Sequence, residues 1–381
     1  MLVNTTGFKY LRKKVLYVGC SQRRRGQVLT YRRPVDMQVQ IESPSLHPNL
    51  CLAIRNLMLD EVSNDIERDS PRVRELAARL RRELSLFEMH KRDAFQAVSG
   101  ADAGSQILPL ASRRYAIISA LVYSFPSGHR FYLHPESLTY SYSLSGEKFK
   151  STVNVRREAK LYETASCFID TNPEVKLILV DGPLAFSNWW SIAGQGRDRR
   201  RLLSAVNRFL KLCAEEGIVV AGIVKRPSAR YLVNHLKLQD ETDLPDAFLL
   251  LQALRPGERT EVFSPRMALR RVGKITSFLD AVDSPILSFY GRFSQDWFIP
   301  PIRIDLPAFS LGHLDEIADY CHWSSIWNGI PLPIVRADEE VRISRRFMGE
   351  IYKDIVSCVG RLTGDFSHLA PYWGEGGWMG A

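Results

Sequence analysis

Apolar and polar positions along this chain follow a helical period first, then strand-like runs, then the two in alternation. From Asn49 to about Met89, Leu52, Ile54, Leu57 and Leu59 recur two or three residues apart among charges, and then Val73, Leu76, Leu80 and Leu84 three or four apart. That is the spacing of amphipathic helices. Asp69-Ser70-Pro71 supplies a cap and a first-turn proline, so the stretch predicts a helical hairpin whose second helix opens there. Ala94–Gly104, Tyr115–Phe125 and Arg130–Tyr142 then carry Tyr, Ile, Val and Phe between turn residues such as Pro126-Ser127-Gly128. They predict three sequential strands, hence an antiparallel meander. A helical period returns from Ser151 through Cys167, with Val155, Ala159, Tyr162, Glu163 and Ser166 on related faces.

The run Val175 to Val180 is short, apolar and rich in β-branched residues, which suits a strand buried on both faces, and Asp181-Gly182-Pro183 stops it. A basic helix from about Asp198 to Glu216 follows, then a strand from Ile218 to Lys225 and shorter helices over Ala229–Leu238 and Asp246–Leu254. The order β-β-β-α-β-α-β-α predicts an α/β fold, a mixed sheet with helices on its faces. Beyond Thr260, strands are expected at Glu261–Phe263, Ile286–Phe293, Ile302–Leu306 and Ile334–Val335, and helices near His313–Trp327 and Glu339–Val359. The expected division is a basic β-rich appendage over residues 1–45, the hairpin over 46–93, and one elaborated domain over 94–381 with its core at about 94–255.

Charge adds a location. The chain of 381 residues has a formal net charge of +9, and nine cations precede its first acid, Asp36. The excess is therefore N-terminal. A basic segment that includes Arg23, Arg24 and Arg25, interleaved with Phe8, Tyr10, Tyr17 and Tyr31, suits a polyanion such as nucleic acid; a solvated basic arm is the alternative. No apolar run approaches a membrane span and no signal-peptide pattern opens the chain, so a cytoplasmic protein is expected. The six cysteines are scattered, without Cys-x-x-Cys or a nearby histidine at zinc spacing, which argues against structural zinc and a disulfide framework.

The candidate chemistry is carboxylate chemistry. Asp102 is expected to end the first strand and Asp181 the fourth, with Glu163 on the intervening helix. Acids from three elements that converge repel one another and persist only with cations, and oxygen donors without thiolate or imidazole favour Mn²⁺ or Mg²⁺. Two such ions activate water and stabilise the leaving oxygen of a phosphodiester. Strand order and acids together follow the layout of the ribonuclease H-like fold. Glu158 competes with Glu163, since residues five apart point about 140° away from each other on a helix. Lys225 ends the fifth strand at the same rim, placed for a phosphate oxygen, with Arg226 beside it. Tyr290 and Arg303 come from later strands, and Arg199 and Arg200 stand near a helix start as candidate contacts to DNA backbone. Each has an ordinary alternative in a turn, a surface lysine or a structural ion pair.

Several segments resemble the NurA nuclease family: Asp102-Ala-Gly-Ser-Gln-Ile107, Leu179-Val-Asp-Gly-Pro-Leu184, Gly222-Ile-Val-Lys-Arg226, Leu254-Arg-Pro-Gly-Glu-Arg259, Phe289-Tyr290, Ile302-Arg-Ile-Asp-Leu-Pro307 and Ile330-Pro-Leu-Pro-Ile-Val-Arg-Ala-Asp338. They run in family order over about Ala94 to Ile343. The resemblance implies a ribonuclease H-like, manganese-dependent nuclease, dimeric, acting on DNA ends and single strands with a hexameric HerA-type ATPase, in DNA repair or antiviral defence. By position it implies Asp102, Glu163 and Asp181 as metal ligands and Tyr290 beside the scissile phosphate. Two residues depart from the family pattern. Ala103 interrupts the usual Asp-Gly-Ser, and Asp338 stands where the family usually has histidine, at a catalytic position. These departures motivate the alternative of a catalytically decayed DNA-binding or ATPase-docking subunit. A third reading is another ribonuclease H-like enzyme of transposase or resolvase type.

Overall fold

The computed structural model describes residues 47–186 and 196–370. The chain divides into two compact units, residues 1–63 and 64–381. The basic appendage, with Arg23, Arg24 and Arg25, lies outside the described residues. The first described element is α1 (Pro48–Glu83), which is continuous where a hairpin was expected, with Pro71 inside it. Proline removes one bond from the ladder, and burial of Val73, Leu76, Ala77 and Leu80 holds the turns that follow.

The second unit is built on a sheet of ten strands. The strands are β1 (Leu86–Glu88), β2 (Val98–Pro109), β3 (Arg114–Phe125), β4 (Arg130–Tyr132), β5 (Glu136–Tyr140), β6 (Leu177–Asp181), β7 (Val219–Val224), β8 (Glu258–Thr260), β9 (Ile286–Gly291) and β10 (Ile302–Pro307). The helices after α1 are α2 (Gly146–Thr171), α3 (Gly196–Glu215), α4 (Tyr231–His235), α5 (Asp246–Ala253), α6 (Pro265–Arg271), α7 (Ser277–Ala281), α8 (Leu314–Ser324), α9 (Leu332–Val341) and α10 (Arg345–Thr363). Sheet order is β1-β8-β9-β10-β7-β6-β2-β3-β4, with β5 also on β3. β2, β6 and β7 are parallel, and the meander β2-β3-β4 and the pairs beyond β7 are antiparallel. A three-strand meander followed by two parallel crossover strands is the ribonuclease H-like core, and β8 to β10 extend the sheet beyond β7.

Alternation along the central strands assigns the two faces. Ala101 and Ala103 of β2, Ile178 and Val180 of β6 and Val220 of β7 pack in one core with Val155, Ala159 and Tyr162 of α2 and Leu202 and Val206 of α3. Leu177 and Leu179 of β6 and Val219, Ala221 and Ile223 of β7 face a second core with Ile317 and Tyr320 of α8 and Ile334 of α9. So α2 and α9 lie on opposite faces. Gly100 and Gly104 admit α9: a Cβ on either would stand 2.2 Å from the Pro333 carbonyl oxygen or 2.5 Å from that of Val341.

Several expected elements move. Asp102 lies inside β2, which runs on to Pro109 because its whole length pairs with β3. The third expected strand is interrupted and becomes β4 and β5, both on β3. The strand expected at Ile334–Val335 is instead the first turn of α9, which opens on Pro331-Leu332-Pro333 with a proline in its first turn. The single C-terminal helix expected from Glu339 is divided between α9 and α10, the latter starting on a Ser344 cap whose hydroxyl accepts from the Phe347 N–H.

Candidate active site

Register brings the carboxylates together. β2 and β6 pair in parallel from Val98 opposite Leu177 to Ala101 opposite Val180, so Asp102 and Asp181 come next, side by side. Asp102 shares its strand face with Gly100 and Gly104, and Asp181 shares its face with Leu177 and Leu179. That is the face α9 covers, and Asp338 approaches from α9. Carboxylate oxygens of Asp102, Asp181 and Asp338 lie within 4.8 Å of one another. Lys225, just beyond β7, places Nζ 2.5 Å from Asp181 Oδ2 and 3.2 Å from Asp338 Oδ1.

Electrostatics follows from this crowding. Burial, then the neighbouring Asp181 charge, pushes the Asp102 carboxyl up to about 8, against the pull of the Ala103 N–H and the Lys225 ammonium. Burial also raises Asp181, opposed chiefly by Lys225. Lys225 itself is raised above the ordinary lysine value, because the Asp181, Asp338 and Asp102 charges outweigh its own burial. The site holds more negative charge than one ammonium balances. Three hard oxygen donors with no thiolate or imidazole among them suit a divalent ion such as Mn²⁺ or Mg²⁺. The site opens into a cavity of about 1150 Å³, also lined by Arg157, Arg226, Trp327, Arg342 and Arg345.

The expected third ligand is a correction. Glu163 does not join the two aspartates: its oxygens accept two bonds from Arg201, both 2.8 Å. Arg201 also holds Glu136, which binds Arg156, and Arg156 binds the buried Asp198. The helical period that placed Glu163 with Val155, Ala159 and Tyr162 identified the face α2 turns to the sheet, and the acidic cup is on the sheet's other face. Arg157, one residue before Glu158, is the α2 side chain that lines the cavity, and it donates to Glu158 at 2.6 Å.

Tyr290 and Arg303 are corrected too. Tyr290 is 0 % exposed, and its hydroxyl donates to Asp246 Oδ2 at 2.9 Å. Asp246 also accepts from the N–H groups of Leu232 and Val233. A phenol buried and engaged in this way does not face a phosphate. We expect Tyr290→Phe to lower stability by about 1.5–3 kcal/mol, the range for a hydrogen bond to a charged group, and to leave divalent-ion affinity unchanged. Denaturant titration and calorimetry check both; a weakened ion site would instead tie Tyr290 to the aspartates. Arg303 pairs with Asp305 at 2.8 and 3.0 Å beneath the Tyr231 ring. Asp305 in turn accepts from the Ser288 hydroxyl and from the N–H groups of Leu184 and Ala185, fixing the turn after Asp181.

Other candidates stay at the surface. Arg226 is exposed, lines the cavity and pairs with no carboxylate among the described residues. Arg200 is exposed and Arg199 half-buried in the first turn of α3, away from that cavity's lining. Arg157, Arg342, Arg345 and Trp327 were not foreseen. Of these, Arg157 alone has a neighbour in sequence, Glu158, that could have pointed to it.

The sequence matches the NurA domain over residues 100–343. The chain belongs to the NurA family. Among solved structures, it is similar to the NurA nuclease from Sulfolobus solfataricus, 19% identical with a TM-score of 0.59 over 83% of this chain and 98% of that one. It is also similar to a NurA bound to dAMP and manganese, 11% identical with a TM-score of 0.50 over 82% of this chain and 98% of that one. At these identities the likeness is one of fold. No curated protein matches the sequence. The family-like segments Asp102–Ile107, Leu179–Leu184, Gly222–Arg226 and Ile330–Asp338 contribute Asp102, Asp181, Lys225 and Asp338 to one rim, whereas those holding Tyr290 and Arg303 contribute to the buried frame. In this NurA-family chain Ala103 points into the α2-side core and leaves the register of Asp102 against Asp181 intact.

Proposed function

We propose that this chain is a metal-dependent deoxyribonuclease that hydrolyses phosphodiester bonds at the rim formed by Asp102, Asp181 and Asp338. The observation that carries the reading is the meeting of those carboxylates from β2, β6 and α9 beside a cavity edged by arginines. A divalent ion, Mn²⁺ or Mg²⁺, bound there supplies Lewis-acid polarisation of the phosphate and lowers the pKa of its water. Asp102, Asp181 and Asp338 would hold it. Asp338 offers an acceptor where the family usually has imidazole, so it acts as a further anionic ligand. Lys225 stands against Asp181 and Asp338, and its ammonium is placed to turn toward a phosphate oxygen as a point charge. Arg226, Arg342 and Arg345 hold the flanking phosphates in the fork geometry that suits them.

The test is digestion of labelled single- and double-stranded DNA by the full chain with and without Mn²⁺. Cleavage that requires the ion and is lost in Asp181→Ala supports the reading. A folded, ion-indifferent protein that binds DNA in a salt-sensitive manner without cutting it would sink it in favour of the decayed subunit. Glu163→Gln is expected to keep the cleavage rate within about twofold and to lower stability by about 0.5–1 kcal/mol, as for a partly exposed ion-pair network; a large rate loss would restore Glu163 to the chemistry.

Family membership supports two partners, a hexameric HerA-type ATPase and a second copy of the chain. Apolar side chains exposed on the described part of α1, among them Leu52, Leu57 and Leu59, support a protein partner as well. Light scattering of the chain alone and after mixing with such an ATPase tests both; a monomer that stays a monomer in the mixture would exclude them. Among the described residues no helix is long and apolar enough to cross a membrane, and a cytoplasmic site of action beside DNA is the corresponding proposal.

A further inference from the structure

Three large aromatic side chains near the acidic rim face solvent. Trp327 is 76% exposed, and Trp297 and Phe298 are 69% and 67% exposed. Trp327 lines the same cavity as Asp102, Lys225 and Asp338. Its loop is firmly built. The Ser294 hydroxyl donates to the Trp327 carbonyl at 2.7 Å, the Ser325 hydroxyl donates to the Gly329 carbonyl at 3.0 Å, and the Ile330 N–H bonds the Asn328 side chain at 3.0 Å. Trp297 and Phe298 sit in the loop that starts from Ser294, with ring centroids 3.5 Å apart, and the same loop supplies Ile299 and Pro300 to the cavity wall. The Asp296 N–H bonds Ser294 and the Phe298 N–H bonds Asp296. Ser294 thus ties the two aromatic loops together.

We propose that Trp327 is a stacking platform for an unpaired base of a DNA strand entering the acidic rim, with Trp297 and Phe298 as an outer platform for the bases before it. The occupant follows from the surroundings. An indole this exposed gains when something covers its face, and the cavity beside it is edged by Arg226, Arg342 and Arg345. Aromatic faces next to guanidinium groups that pair with no carboxylate among the described residues match the two halves of a nucleotide, base and phosphate. A duplex keeps its base faces covered, so such a platform favours single-stranded DNA over duplex. The inference rests on the nuclease reading for the strand's destination and on the aromatic loops for its recognition.

The test is binding by the full chain in EDTA, where no cutting occurs, of fluorescein-labelled oligothymidylate and of a blunt duplex of equal length, followed by anisotropy and tryptophan quenching. Trp327→Ala is expected to weaken single-strand binding about 5- to 100-fold, the range of one base–aromatic stack, to leave duplex binding within about twofold, and to reduce the quenching at saturating oligothymidylate. Trp327→Phe restores most of the affinity. Circular dichroism confirms that the variants are folded. Unchanged single-strand affinity in Trp327→Ala, an equal loss for both substrates, or no single-strand binding by the wild type overturns the proposal. So does a dimer that becomes monomeric in Trp327→Ala with oligothymidylate affinity intact, which would make the patch a contact between copies. Wild-type protein that binds with quenching but never cleaves in Mn²⁺ leaves the platform standing and removes the nuclease reading; cleavage with an indifferent Trp327→Ala does the reverse.

Discussion

Asp102→Asn is expected to abolish Mn²⁺-dependent cleavage, by about a thousandfold or more, and yet to raise the melting temperature of the metal-free protein at pH 8. The first effect follows from removing an anionic ligand where several kcal/mol of transition-state stabilisation is supplied, each 1.4 kcal/mol being tenfold in rate. The second follows from linkage. The Asp102 carboxyl is raised from an ordinary 3.8 to about 8 by burial and by Asp181. Between about pH 4 and pH 8 the folded chain therefore keeps a proton that the unfolded chain has lost, and stability falls as pH rises through that window. Amide at residue 102 still accepts the Ala103 N–H but carries no charge to desolvate. The variant should gain on the order of 2–5 kcal/mol at pH 8, and the gain should vanish toward pH 4. Thermal melts of both proteins across that range check this. A gain that is flat with pH, or a loss at pH 8, would mean that Asp102 is charged in the metal-free protein. The same proton must leave when an ion binds, so Mn²⁺ affinity should drop as pH falls below about 8.

Gly100→Val is expected to lose the site without touching a carboxylate. A Cβ there would lie 2.2 Å from the Pro333 carbonyl oxygen and 2.4 Å from its carbon, both backbone atoms that no side-chain rotation can clear. Either α9 lifts from β2 or the strand distorts. Overpacking of this kind costs about 3 kcal/mol or more at the top of its usual range, and α9 carries Asp338 away with it. Urea unfolding should show the loss, and Mn²⁺ titration should show an ion site weakened in proportion. Gly349→Ala in α10 is the control: beyond its chain neighbours and the helix's own backbone nothing stands within 4 Å of the added methyl, and the change is expected to stabilise by about 0.5–1 kcal/mol. Wild-type stability and ion affinity in Gly100→Val would show that α9 does not need its close approach to β2.

The parts of this structure that one sequence disclosed are those with a dense local signal. Val175–Val180 is apolar at every position but Lys176 because β6 is covered on both faces, so both the strand and the carboxylate closing it could be read directly. The meander and α2 carried similar signals. Asp102 was legible as a carboxylate in a strand, although Asp102 proved to be midway along β2. What could not be read was which sheet face each side chain takes. Glu163 and Asp338 illustrate this: helical period marks a buried face, but only register and the Gly100–Gly104 approach decide that α9, not α2, covers the acids. Tyr290 and Arg303 show the same limit in resemblance, which transfers a residue's position and not the direction in which it points. The Leu86–Glu88 strand was missed because three residues paired with β8 carry no period. Ile334–Val335 was misread because two apolar residues fit a strand and a helical turn equally. Trp327 carried no signal at all, since exposure of an aromatic is decided by distant contacts.

The most direct test is an anomalous difference map of crystals soaked in Mn²⁺ at pH 8. A peak in coordination contact with oxygens of Asp102, Asp181 and Asp338, with the Lys225 ammonium turned away from Asp181, is the predicted result. A peak elsewhere, or none while Lys225 keeps its bridge between Asp181 and Asp338, would contradict the claim that these three carboxylates share an ion.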